Sequence, residues 1–344
     1  MDMNPVPAKQ TLLMTGGSGF FGKSVLDAFG RGLLAPFGIA RIIALSRQAQ
    51  ALRALAPQLC GPGVELVDGD VQELDSTFGA HLVIHAAASS DARHYQTDPA
   101  HEMRTIVQGT QRVCDAVAQA SNRPRLLYVS SGAVYGRQPP DVAALAEDAP
   151  FVVDADPFKE AYTQAKRQAE TIVSRLALEH RVPTRIARCF AFVGPWLPRD
   201  QHFAMGNFLG AALRGAPIEV RARHPVLRSY LHADDLAVWL LRLASAEGGC
   251  GEAYNVGSGQ AVSLRDLATL MAGIAGLRAV LPETDSTDLP DDRYVPDVGL
   301  AKREFGLTVT VPLRTAVERT LHALASSLSL PNRGKACEPM RASQ

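Results

Sequence analysis

The feature that most constrains this chain is a glycine turn close to its start. Gly16, Gly19 and Gly22 recur at a spacing of three in Gly-Gly-Ser-Gly-Phe-Phe-Gly. The turn follows the apolar run from Thr11 to Thr15 and precedes a stretch carrying Val25, Leu26, Phe29 and Leu33 on a helical period. Strand, tight turn and helix in that order form a phosphate cradle. Glycine admits positive φ and close backbone approach, while the helix N-terminus presents unpaired N–H groups and the positive end of its dipole. The spacing therefore predicts a dinucleotide-binding start, with Gly16, Gly19 and Gly22 and the backbone of Phe20 and Phe21 around the phosphates.

The same alternation continues. Strands are predicted over 41–45, 64–67, 82–85, 125–129 and 184–188, with helices over 48–56, 99–120 and 159–180. Strict alternation implies parallel strands joined by right-handed crossovers, hence an α/β fold of the Rossmann type, a doubly wound parallel sheet. Beyond Gly194-Pro195 the pattern loosens into segments divided by Pro and Gly, where a smaller C-terminal substrate-binding lobe is expected. The expected division is an N-terminal extension over 1–10, a dinucleotide-binding body over 11–190 and a lobe over 191–325. A segment around 228–258 returns to the sheet, and 326–344 forms a mobile tail.

Lys plus Arg and Asp plus Glu both number 35 in 344 residues, so no summed basic field exists to hold a nucleic acid. Cys60, Cys114, Cys189, Cys250 and Cys337 are scattered and lack CxxC spacing, which reads as free thiols rather than disulfides or a zinc site. The nine histidines show no HxH or HExxH pattern, so no metal site is expected. No stretch has signal-peptide or membrane-span length, which points to a cytoplasmic protein without membrane contact.

At the end of the second strand, where a carboxylate would grip a ribose 2′-hydroxyl, stand Ser46 and Arg47. A hydroxyl and a guanidinium suit the 2′-phosphate of NADP, with NAD as the alternative. Asp70, beside Val71, is placed either to accept from the adenine amino group or to cap the following segment. Ser131 ends a strand, and Tyr162 and Lys166 lie four apart on one helix face. A phenol with a reference pKa of about 10 needs a neighbouring ammonium to act as an acid or base, and Lys166 supplies it. Ser131, at the carboxyl end of a parallel strand, is placed to hold the reacting oxygen.

Gly16 to Gly22, His85-Ala-Ala-Ala88, Ser130-Ser131 with Val134-Tyr135-Gly136, Tyr162 with Lys166, Arg188 with Gly194-Pro195, Arg228 to Asp235, and Tyr254-Asn-Val-Gly-Ser258 together resemble the extended short-chain dehydrogenases. Within these the resemblance is to the nucleotide-sugar epimerase/dehydratase family. It implies a Ser131, Tyr162 and Lys166 catalytic triad. It also implies cofactor contacts from Gly16, Gly19, Gly22, Asp70, Ala86, Ala87 and Ala88, a grip on the diphosphate by Arg228, and a homodimer paired through the helices over 99–120 and 159–180. Tyr162, Lys166 and Phe190 are further expected cofactor contacts, and Ser131, Asn207 and Arg293 further expected substrate contacts.

Three departures matter. Dehydrating members carry Asp-Glu just after the catalytic hydroxyl, whereas this chain has Gly132-Ala133, so dehydration is disfavoured. Ile106 and Ala191 stand where the family usually has Asn, so His202 or Asn207 would have to supply substrate hydrogen bonds. The expected activity is NADPH-dependent reduction of a 4-keto-sugar nucleotide. NAD-dependent C4 epimerisation is the alternative, and a non-catalytic dinucleotide-binding regulator is a reading from another class.

Overall fold

The computed structural model describes residues 9–88, 97–199, 201, 203–283 and 291–328. Seven strands form one parallel sheet: β1 (Gln10–Thr15), β2 (Ile39–Ser46), β3 (Val64–Asp68), β4 (Leu82–His85), β5 (Arg125–Ser131), β6 (Thr184–Cys189) and β11 (Cys250–Val256), in the order β11-β6-β5-β4-β1-β2-β3. The chain winds outward from β1 through β2 and β3, then crosses back to β4 beside β1 and winds the other way. The switch between β1 and β4 opens a crevice at the strand ends, where ligands of such sheets bind.

The strands read as near-continuous apolar runs because both faces are covered. Along β5, Leu127 and Val129 join a core shared with α1 (Phe20–Gly30) and with Leu236, Trp239 and Leu240, while Leu126 and Tyr128 join a second core on the opposite face. The second face is covered by α3 (Pro99–Gln119) and α4 (Pro157–His180). Their apolar stripes, Ile106, Val113 and Val117 on α3 and Ala165, Val173 and Leu176 on α4, are buried in that core. Exposed positions include Gln108, Gln111 and Arg112 on α3 and Phe158, Gln168, Thr171, Arg175 and Leu178 on α4. These two stripes pack within the protomer.

The helix expected over 48–56 shrinks to α2 (Leu52–Leu55) and a 3₁₀ turn over Pro57–Leu59. Gln50 is drawn to β3, its amide N–H donating to Asp68 Oδ1 at 2.9 Å and its side chain to the Leu66 carbonyl at 2.6 Å. Ala56, immediately before Pro57, leaves the helical region.

The remaining strands are short: β7 (Phe192–Val193), β8 (Ile218–Glu219), β9 (Val226–Arg228), β10 (Leu231–His232), β12 (Val262–Ser263), β13 (Ala279–Val280) and β14 (Asp292–Tyr294). With α5 (Ala204–Leu213), α7 (Leu264–Ala275) and α9 (Leu313–Leu328) they enclose a separate core that includes Met205, Leu209, Leu267, Met271 and Val317. Between them α6 (Ala233–Ser245) lies on the main sheet and leads to β11, while α8 (Gly299–Phe305) packs against β11. Residues 326–328 belong to α9 rather than to a tail and Gln10 to β1 rather than to an extension, while the expectations for residues 1–8 and 329–344 lie outside the described residues.

The N-cap of α6 is His232, its Nδ1 accepting from the Asp234 N–H at 3.2 Å. Asp235 is buried and accepts from the Thr310 hydroxyl, from Thr310 N–H at 2.9 Å and from Val311 N–H at 3.0 Å, which pins the chain leading to α9. The helix starts at Ala233, so both carboxylates fall in its first turn.

Candidate active site

Gly16 lies at φ +72°, and a Cβ there would sit 2.6 Å from the Ala86 carbonyl oxygen, so glycine is what lets the turn after β1 pass the end of β4. Ala86, Ala87 and Ala88 form the opposite lip of this crevice. Gly19 is the N-cap of α1 and offers no capping side chain, which leaves the first-turn N–H groups without a side-chain acceptor. Phe20 and Phe21 pack on Phe192 at ring distances of 5.9 and 5.6 Å, so what they present to a phosphate is backbone. Gly22 packs on the Gly17 backbone and seats the helix against the strand turn. At the end of β2 the Ser46 hydroxyl is buried with no hydrogen-bond partner, and Arg47 is exposed beside it. Asp70 Oδ1 accepts from the Gln72 N–H at 2.9 Å, the capping geometry, and Val71 is buried against Gly109. A glycine cradle, an uncapped helix and an orphaned hydroxyl at the far strand end fit a dinucleotide laid across the crevice.

Three elements bring the reactive side chains together. Ser131 ends β5, and its Oγ accepts from the Ala133 N–H at 3.1 Å. Helix α4 starts at Pro157, capped by Asp156, whose Oδ1 accepts from the Phe158 N–H at 3.0 Å; Tyr162 and Lys166 follow on one face. The Lys166 ammonium is 3% exposed, donates to the Val129 carbonyl at 3.0 Å and lies 4.9 Å from the Tyr128 ring and 5.9 Å from the Tyr162 ring. Burial pulls Lys166 down to about 8, because an ammonium loses its hydration there. Burial pushes Tyr162 up to about 12, partly offset by its hydrogen bond with Ser131. At neutral pH the pair is thus a protonated phenol beside an ammonium. Beneath them His85 hydrogen-bonds Thr15 Oγ1 at 2.7 Å and Thr110 Oγ1 at 3.2 Å, and burial drives it down to about 3, so it stays neutral next to Lys166.

Several motif residues meet away from this crevice, in a buried polar network behind Ser131. Arg188 Nη2 pairs with Glu170 Oε2 at 2.8 Å, and its Nη1 donates to Tyr135 Oη at 3.0 Å and to the Glu147 carbonyl at 2.9 Å. Ser130 Oγ donates to Glu170 Oε1 at 2.6 Å, and Tyr135 donates to Asn255 Oδ1 at 2.8 Å. The network joins β5, β6, β11 and α4, so it fixes the end of the strand that carries Ser131. A buried ion pair offsets its own desolvation only when its remaining hydrogen bonds are made, as they are here.

In the C-terminal lobe, Arg228 Nη2 pairs with Asp292 Oδ2 at 2.8 Å while its Nη1 donates to the Leu227 and Asp292 carbonyls, tying β9 to β14. Arg293 pairs with Asp291 at 2.7 Å, and Asn207 is exposed on α5. Phe190 is buried, its ring 4.6 Å from that of Tyr294. His202 lies outside the described residues. Sequence reasoning missed Tyr294, whose hydroxyl lies 3.5 Å from Ser131 Oγ, and missed Glu170. Neither stands at a spacing that marks it. Only the carboxylate preference for a buried Arg188 pointed toward a partner of Glu170's type.

Residues 12–257 match the NAD dependent epimerase/dehydratase family. UDP-glucuronic acid decarboxylase 6 of Arabidopsis thaliana is 27% identical over 305 residues, covering 88% of this chain and 85% of that protein. Among solved structures, MoeE5 in complex with UDP-glucose and NAD aligns with a TM-score of 0.72 at 26% identity, over 93% of this chain and 100% of that one. UDP-glucose 4-epimerase from Thermotoga maritima aligns with a TM-score of 0.76 at 19% identity, over 92% and 99%.

Proposed function

Because the chain belongs to the NAD dependent epimerase/dehydratase family, we propose that it acts on a nucleoside-diphosphate sugar with a bound nicotinamide dinucleotide, and that reduction of a 4-keto sugar is its reaction. The observation that carries this reading is the turn after Ser131. Gly132 and Ala133 place no carboxylate beside the hydroxyl, so among the described residues the turn offers a proton donor but no acid and base pair for eliminating water. Bound in the crevice, the dinucleotide would supply hydride to the sugar carbon. The chain's own part is to hold the sugar and manage one proton. Ser131 donates a hydrogen bond to the keto oxygen, and Tyr162, which keeps its proton at neutral pH, passes that proton to the same oxygen. The Lys166 ammonium then stabilises the phenolate left behind.

Ser46 and Arg47 support NADP, because the orphaned hydroxyl and the exposed guanidinium suit a 2′-phosphate. The decarboxylase relatives and the UDP-glucose complex of MoeE5 support uridine as the base. The NAD bound to MoeE5 favours a second reading, C4 epimerisation with retained NAD, since proton transfer through Tyr162 runs in both directions.

Extraction of any cofactor from the purified protein, followed by absorbance at about 340 nm, the reduced nicotinamide band, with 4-keto-sugar nucleotides, tests the choice. NADPH consumption by a protein purified empty is the expected result. Tightly held NAD with no net consumption would replace reduction by epimerisation.

A further inference from the structure

Tyr294 reaches the site from the C-terminal lobe and touches the group on which the proposed reaction turns. Its hydroxyl lies 3.5 Å from Ser131 Oγ and 3.4 Å from the Cys189 carbonyl, and its ring stacks on Phe190 at 4.6 Å. Gly132 is what admits it, because a Cβ at 132 would fall 2.7 Å from Tyr294 Oη and 2.7 Å from Phe190 Cζ. The space beside Ser131 that a side chain at 132 would enter is therefore filled by a phenol from β14.

The hydrogen-bond inventory of Ser131 gives this contact a direction. A serine hydroxyl has one proton and two acceptor sites. The Ala133 N–H uses one acceptor site, and both Tyr162 and Tyr294 hydrogen-bond the same oxygen. One phenol must therefore donate and the other must accept. Because Tyr294 spends its one proton on the Cys189 carbonyl, it accepts from Ser131 and Tyr162 donates; the geometry points to Tyr294 as a positioning residue that holds Ser131 Oγ in place beside Tyr162, where the substrate oxygen would meet both hydroxyls. Burial pushes the Tyr294 phenol above its ordinary value, so it remains a donor throughout the neutral range. Tyr294 also stands directly across from Arg228 in the β9 and β14 pairing. The lobe strand that carries a candidate diphosphate ligand thereby reaches the catalytic hydroxyl. This inference rests on the reading that Ser131 holds the substrate oxygen.

The test is a double-mutant cycle on the full-length protein with Tyr294→Phe, Ser131→Ala and the pair. Phenylalanine keeps the stack on Phe190 and removes only the hydroxyl. Tyr294→Phe is expected to lower kcat about tenfold with KM changed less than twofold, as for a bond that matters at the transition state. In the Ser131→Ala background it is expected to have no further effect on kcat. Equal losses in both backgrounds, or a raised KM at unchanged kcat, would overturn the role. Urea denaturation of the same four ligand-free proteins supplies a readout independent of substrate. Non-additive stabilities are expected for the coupled pair, and additive ones overturn the inference. A wild-type protein that turns over no sugar nucleotide would overturn the proposed function instead, leaving the denaturation cycle to decide on Tyr294.

Discussion

Replacing Lys166 with methionine is expected to abolish turnover while relieving the fold of a burial cost whose size and pH dependence follow from the structure. Burial pulls Lys166 from its ordinary 10.5 down to about 8. At 1.36 kcal/mol per unit, holding the ammonium in the fold costs about 3 kcal/mol at neutral pH. The pKa is lower in the folded protein, so between about 8 and 10.5 the unfolded chain binds more protons, and stability contributed by this group rises with pH. Wild type should therefore gain about 2 to 3 kcal/mol on Lys166→Met between pH 7 and pH 10. The loss of the bond to the Val129 carbonyl and of the contact with the Tyr128 ring shifts the two curves by a constant and leaves this slope unchanged. Urea denaturation followed by the fluorescence of Trp239, which is 1% exposed, reads both proteins at each pH. A wild-type minus variant difference that stays flat from pH 7 to 10 would refute the argument, because Lys166 would then titrate alike in both states.

Three further outcomes are expected. Tyr162→Phe should lower kcat by about 10²- to 10⁴-fold while dinucleotide affinity, read by cofactor fluorescence, stays unchanged, because the hydroxyl moves the proton and the crevice holds the phosphates. Arg47→Ala should weaken NADP binding about 10- to 100-fold and leave NAD binding untouched in calorimetric titration, the loss of a charge-assisted contact to a 2′-phosphate. Arg188→Ala should destabilise the protein by about 3 to 5 kcal/mol in denaturant titration, because the Glu170 carboxylate, its side chain 9% exposed, would lose its ion pair; Arg188→Ala with Glu170→Ala together should cost less than Arg188→Ala alone.

The buried network changes what the motif residues mean. Tyr135, Arg188 and Asn255 lie in stretches that carried the family resemblance, and all three point away from the crevice into one set of hydrogen bonds with Glu170 and Ser130. Their task is to hold the end of β5 in place. Arg228 shows a similar commitment, since three of its hydrogen bonds go to Leu227 and Asp292. A diphosphate would have to take its remaining N–H groups or compete with Asp292 for the pair.

What the sequence determined by itself was local. The glycine spacing, the apolar period of each strand and the four-residue step from Tyr162 to Lys166 each act within one or two turns of chain, and the doubly wound sheet and its crevice follow from their order. The sequence also showed that no carboxylate follows Ser131. Tertiary structure alone decided what fills that place, because Ser131 and Tyr294 are 163 residues apart and meet only through the pairing of β14 with β9. It likewise decided that Asp235 anchors the chain leading to α9 and that the apolar faces of α3 and α4 turn inward. The physical reason is the same in each case. Periodicity says which face of an element is buried, but the partner waiting there depends on how distant elements dock, and no spacing along the chain records that.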